Sequence, residues 1–152
     1  MQFSNEVLIR LAIALLGILG FFVAKHIRSH KTQNTPLVCP IGFDCHAVVH
    51  SDYSKFFGVP VEILGMIYYS SVSLFYLALV FIPEILPQTL IVLPMILSFA
   101  AFLFSIYLIA VQVFVLKKGC SWCIVSAFIS AFIFILTTSA YEFNALAQIF
   151  IN

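Results

Sequence analysis

Residues 88–116 read QTLIVLPMILSFAAFLFSIYLIAVQVFVL, without one charged side chain. So long an apolar run is read as a membrane-spanning helix. About 20 residues at 1.5 Å rise cross ~30 Å of hydrocarbon, and a helix closes its backbone hydrogen bonds within one segment. Strict alternation of apolar and polar residues is absent, which excludes a strand. Lys117, Lys118 and Gly119 end the run, and Pro94 lies inside it. Comparable apolar segments occupy about 7–24, 59–82 and 120–141.

Composition points the same way. Of 152 residues, 63% are hydrophobic, 9% are charged and 17 are Phe, with mean hydropathy +1.15. A soluble domain carries about 25% charged residues. This chain has too few polar side chains to coat a water-soluble globule. A net charge of +1 leaves no electrostatic footprint for phosphate, so nucleic acid is excluded as a partner. The expectation is an all-α integral membrane protein, one domain over 1–152, built as a four-transmembrane-helix bundle in a lipid bilayer. The first segment is broken only by Arg10 and closed by Lys25, His26, Arg28, His30 and Lys31. Its leading charge is weak and Phe22-Val23-Ala24-Lys25 is a poor cleavage site, so it is read as a span rather than a signal peptide. The long loop then runs over 25–58.

Four spans place the first and third loops on one membrane face. All four cysteines fall on that face: Cys39 and Cys45 in the first loop, Cys120 and Cys123 where the third loop enters the last span. Cys120-Ser-Trp-Cys123 opens a helix after Gly119. The free N–H groups and partial positive charge of a first helical turn stabilise a thiolate, and Lys117 and Lys118 act in the same direction. The thiolate is the nucleophile of dithiol chemistry. Small Cys residues also serve as packing in apolar surroundings. Cys39-Pro-Ile-Gly-Phe-Asp-Cys45 can reverse at Pro40 and Gly42, either as a loop staple or as a second redox pair. A zinc site with His46 and His50 competes, but Cys-x5-Cys is wider than the usual knuckle spacing.

Further landmarks surround these pairs. Ser51 follows Cys45 by six residues. Phe57-Gly58-Val59-Pro60-x4-Gly65 comes next, then Tyr68-Tyr69. Tyr107-Leu108 stands thirteen residues before Cys120. In this order and spacing, over about 38–131, the chain resembles the vitamin K epoxide reductase family in its bacterial-type single-domain form. The resemblance implies a four-helix bundle around a quinone, of the ubiquinone or menaquinone (vitamin K) type, capped by the loop between helices 1 and 2. It implies that Cys123 lies beside the quinone ring and that Cys120 receives electrons from the loop. Cys45 would pair with Cys120, and Cys39 would exchange with a separate thioredoxin-fold dithiol protein of the DsbA kind. Ser51, Phe57, Gly65, Tyr68, Tyr107 and Cys123 are the quinone contacts it implies, with no metal. Animal members that reduce the epoxide resemble a pattern with Asn near Val61 and Tyr near Ala127. Both are missing here, so plain quinone reduction is the expectation. The DsbB type of membrane oxidoreductase has the two cysteine pairs in the opposite order.

Orientation draws on two opposed signals. Lys25, Arg28, Lys31, Lys55, Lys117 and Lys118 lie on the cysteine face and only Arg10 opposite, which by the positive-inside rule makes that face cytoplasmic. Persistent disulfides and the resemblance place it outside a cell (inner) membrane. We adopt the second. Glu62, one turn into span two, reads equally as a functional carboxylate or as one snorkelling to the interface. Trp122 reads as an interfacial anchor, and His46 and His50 as candidate proton carriers.

Overall fold

The structure is a computed structural model that describes residues 2–33, 55–82, 84, 90, 92–117 and 119–151, with the backbone alone for 2–6 and 140–151. Four long helices carry it: α1 (Gln2–Thr32), α2 (Val61–Phe81), α3 (Val92–Ala110) and α4 (Ser121–Ile151). A small antiparallel hairpin of β1 (Lys55–Phe56) and β2 (Val59–Pro60) leads into α2. Segments long and apolar enough to cross a bilayer are Val7–Thr32, Val61–Phe81, Val92–Leu116 and Ser121–Ser139. The fold is therefore the expected all-α membrane bundle.

Its boundaries differ from the hydropathy reading in physical ways. Helix α1 does not stop at the basic residues but runs through them to Thr32. Lys and Arg are good helix formers, and cations complement the negative end of the helix dipole. Helix α2 starts two residues later than its apolar run, because Phe57 (φ 51°) and Gly58 (φ 81°) make the left-handed turn of the hairpin. Helix α3 begins at Val92, which puts Pro94 in the first turn, where its missing N–H has no helical partner to lose.

Helix α1 packs most extensively on α2, and α4 covers both α1 and α3, whereas α3 barely meets α2. The core joins Ile13 and Ala14 of α1, Tyr69, Val72, Tyr76 and Leu79 of α2, and Ile133 of α4. Close helix approach in a membrane needs small residues, and α1 supplies Gly17 and Gly20. A Cβ at Gly20 would lie 2.5 Å from the Tyr69 ring. The Tyr69 hydroxyl then reaches α4, donating to the Ser126 carbonyl at 2.7 Å. Tyr76 donates to Thr137 Oγ1 at 3.3 Å, and Ser73 to the Ala14 carbonyl at 3.3 Å. These bonds tie three helices together where no water is present to take them up.

Gly20→Ala is expected to destabilise the bundle by about 1–3 kcal/mol, because the added methyl must push the Tyr69 ring off its seat. Unfolding in mixed micelles measures this. The double variant with Tyr69→Ala should be more stable than the sum of the two single losses predicts. Additive losses would show that the two residues do not share that seat.

Candidate active site at the mouth of the fourth helix

The site is built from the end of α3 inward. After Ala110 the helix widens into a π-helical turn, Val111–Leu116, closed by Lys117 in a left-handed conformation (φ 53°). Such turns are rare and recur at functional sites. The turn buries Gln112, whose Oε1 accepts the Cys120 N–H at 3.2 Å. Cys120 stands at the N-cap of α4. Its carbonyl accepts the Ile124 N–H at 3.0 Å, and its Sγ accepts the Cys123 N–H at 3.4 Å. The sulfur thus fills the place of a capping Ser or Asp oxygen.

Cys120 is fully buried, packed with Ile27 and beside Leu116, Trp122 and Cys123. His26 lies over Trp122, ring centroids 4.6 Å apart. The Cys120 thiol is held below its ordinary value, first by the Cys123 thiol as hydrogen-bond donor, against the opposing cost of burial, and then by the N–H groups of Cys123 and Trp122. The two N–H groups of the helix mouth act in the direction expected from the sequence, behind the larger effect of the Cys123 thiol.

A thiol with a depressed folded-state pKa ionises at lower pH than the unfolded thiol. Its contribution to stability is present above the unfolded pKa and is lost as pH falls through the folded one. In a Cys39→Ser/Cys45→Ser background, alkylation of Cys120 should have its pH midpoint below that of the denatured chain. Cys123→Ala should move the midpoint up. A midpoint unmoved by Cys123→Ala would mean the two thiols do not interact.

Cys123 lies one turn further in and opens onto a cavity of about 450 Å³, inside the range of small-molecule sites. The cavity occupies the gap that α3 leaves beside α2. Its walls are mostly apolar, with Val61, Leu64, Gly65 and Tyr68 from α2 facing Leu97, Ala101, Phe104 and Leu108 from α3. Ala127 and Ser130 complete the α4 side. Of the residues singled out from the sequence, Gly65, Tyr68 and Cys123 come together here. Phe57 does not: it sits 91% exposed at the hairpin turn, and its neighbour Phe56 lines the cavity instead. The Phe56 ring meets Phe104 edge-on at 5.2 Å. Tyr107 is half exposed outside the cavity and stacks behind Phe104 at 6.1 Å. Cys39, Cys45 and Ser51, with His46 and His50, lie outside the described residues.

Glu62, Ser130 and Gln112 are three of the polar residues of the wall; the sequence left Glu62 open between a functional and an interfacial carboxylate and singled out neither of the other two. Glu62 does not snorkel. It is 7% exposed, with Oε1 3.0 Å from Lys31 Nζ and 3.9 Å from Arg28 Nη1. Lys31 makes this ion contact without the alignment of a hydrogen bond. The basic end of α1 is thereby fastened to the cavity wall. Ser130 Oγ is fully buried near the Tyr68 hydroxyl but makes no hydrogen bond of good geometry. Gln112 is the third. A carboxamide within the run 92–116 was the available signal for it, since hydrocarbon penalises such a group unless it has partners.

A planar quinone needs an apolar slot with a few polar groups to receive its two carbonyl oxygens. The aromatic and aliphatic walls, with the unpaired Ser130 hydroxyl, suit that chemistry. No individual curated protein matches the chain. The model of the vitamin K epoxide reductase family matches residues 8–138. With that match covering all four spans and the CxxC mouth, the chain belongs to the vitamin K epoxide reductase family of membrane oxidoreductases.

Proposed function

We propose that this protein is a membrane dithiol:quinone oxidoreductase that reoxidises a thioredoxin-fold partner for protein disulfide formation. The observation that carries the reading is Cys123 opening onto an apolar cavity while Cys120 caps the helix beside it. Electrons would enter at Cys39, pass with Cys45 to Cys120, and reach Cys123 by successive thiol–disulfide exchange. The lowered Cys120 thiol suits it as the exchanging member. Closing the Cys120–Cys123 disulfide releases two electrons and two protons, which a bound quinone accepts to become the hydroquinone. Phe56, Phe104 and Tyr68 would hold the ring, and Ser130 would offer it a hydroxyl.

Val61 and Ala127 present only alkyl groups to the cavity, where animal members that reduce the epoxide resemble a pattern with Asn and Tyr. This favours plain quinone reduction over epoxide reduction. The cysteine face is assigned to the outside of the cell membrane. This assignment follows the persistence of disulfides outside the cytoplasm, against the count of Lys and Arg on that face.

Right-side-out membrane vesicles supplied externally with a reduced DsbA-type protein test this reading. The expected result is loss of the partner's two thiols with reduction of one quinone, without opening the vesicles, and abolished by Cys120→Ser. Oxidation only in opened vesicles would reverse the orientation. No oxidation in either preparation would sink the proposed function.

A further inference from the structure

Gln112 faces two ways. Its Oε1 accepts the Cys120 N–H at 3.2 Å. A backbone N–H can only donate, so the carboxamide oxygen must be the atom turned to Cys120, and the NH2 group is turned the other way. Gln112 is 5% exposed and lines the cavity. Among the described residues that NH2 group forms no hydrogen bond, and it is not one of the fully enclosed polar atoms, so it is an open donor on a residue that lines the cavity. A ligand with an acceptor there would satisfy it.

We propose that the Gln112 carboxamide donates a hydrogen bond to a carbonyl oxygen of the quinone, making Gln112 the residue that ties the acceptor to the thiol pair. The proposal rests on the reading of the cavity as a quinone site. It gives a physical role to the π-helical turn. The turn brings the single carboxamide of the span, Gln112, between the Cys120 backbone and the ligand. It also supplies the polar contact that Val61 and Ala127 cannot make. The bond selects acceptors with a carbonyl group over hydrocarbon rings of the same shape, and it anchors one edge of the ring in the cavity that Cys123 lines.

The test is binding, with the full chain in nanodiscs and the Cys120–Cys123 pair oxidised so that no turnover occurs. Trp122 is the single tryptophan and reports ligands by quenching. The probes are 2-methyl-1,4-naphthoquinone and 2-methylnaphthalene, which has the same rings without carbonyls. Gln112→Met, of similar volume, should weaken the quinone by about fivefold to tenfold, the worth of one hydrogen bond, and leave the hydrocarbon unchanged. In Ser130→Ala, which removes the hydroxyl of Ser130 from the cavity, the infrared band of one quinone carbonyl should lie below its position in apolar solvent, and in Ser130→Ala/Gln112→Met it should return toward it. Should the Gln112 variant fail to fold, seen as lost hydrocarbon binding, the Ser130→Ala spectrum still decides: one shifted band supports the proposal and two unshifted carbonyl bands overturn it. Equal quinone affinity in wild type and a folded Gln112→Met would also overturn it, with the quinone site left standing. Wild type that binds the hydrocarbon but no quinone would overturn the site reading and this role with it.

Discussion

Cys39→Ala is expected to stop turnover with the thioredoxin-fold partner, by roughly a thousandfold or more, as when the nucleophile of a covalent relay is removed. Quinone reduction driven by a small dithiol such as DTT should stay near the wild-type rate. The asymmetry follows from where the cysteines stand. Cys39 lies in the polar stretch between α1 and the hairpin, while Cys123 lies one turn inside α4 on the wall of the acceptor cavity. A protein partner is too large to enter that wall and must exchange outside it. A small dithiol can deliver electrons further along the relay. Both rates are read from quinone absorbance with one preparation and two reductants. Equal loss of both activities in Cys39→Ala would contradict the order of the relay.

The second large effect is a trapped intermediate. If Cys45 exchanges with Cys120, a Cys45–Cys120 disulfide must exist transiently, and Cys123 resolves it by re-forming the Cys120–Cys123 bond. In Cys39→Ser/Cys123→Ser both thiols able to displace it are gone. Cys45 and Cys120 are about 75 residues apart, and the entropy of closing so long a loop grows only slowly with its length. A protease site inserted at 83–87 cuts the chain between them. On a denaturing gel the two halves should migrate together without reductant and separate with it. Nearly all of the protein should be in the linked form after mild oxidation. Halves that separate under both conditions, with both thiols free, would show that the two pairs do not communicate.

Part of the site was legible because it rests on covalent spacing. Two cysteines three residues apart at the start of a helix must lie on one turn, whatever else surrounds them. Gly65 and Tyr68 share a helix face for the same reason and both line the cavity. Phe56 was not legible. Whether Phe56 or Phe57 turns inward depends on the hairpin register and on a left-handed residue at Phe57, which sequence spacing does not reveal. Tyr107 sits in the predicted span, yet α3 presents Phe104 and Leu108 to the cavity and leaves Tyr107 outside it.

The sequence alone determined that the chain has four helices long and apolar enough to cross the membrane, and from their parity it leads to the expectation that both cysteine pairs lie on one face. Apolar runs of this length have no other way to satisfy their backbone in hydrocarbon, and parity then follows from counting. Only the tertiary structure decided which side of each helix faces its neighbours. Phe22 and Phe128, about 60% exposed, are as apolar as the buried Ile13 and Ile133. In lipid the outer and inner faces of a span are equally hydrophobic, so no periodic pattern separates them. The seating of Tyr69 on Gly20 and the Lys31–Glu62 pair therefore came from helix packing, because each needs two segments distant in sequence to be brought within contact, whereas the Gln112 link to Cys120 came from the π-helical turn and the left-handed Lys117 between them.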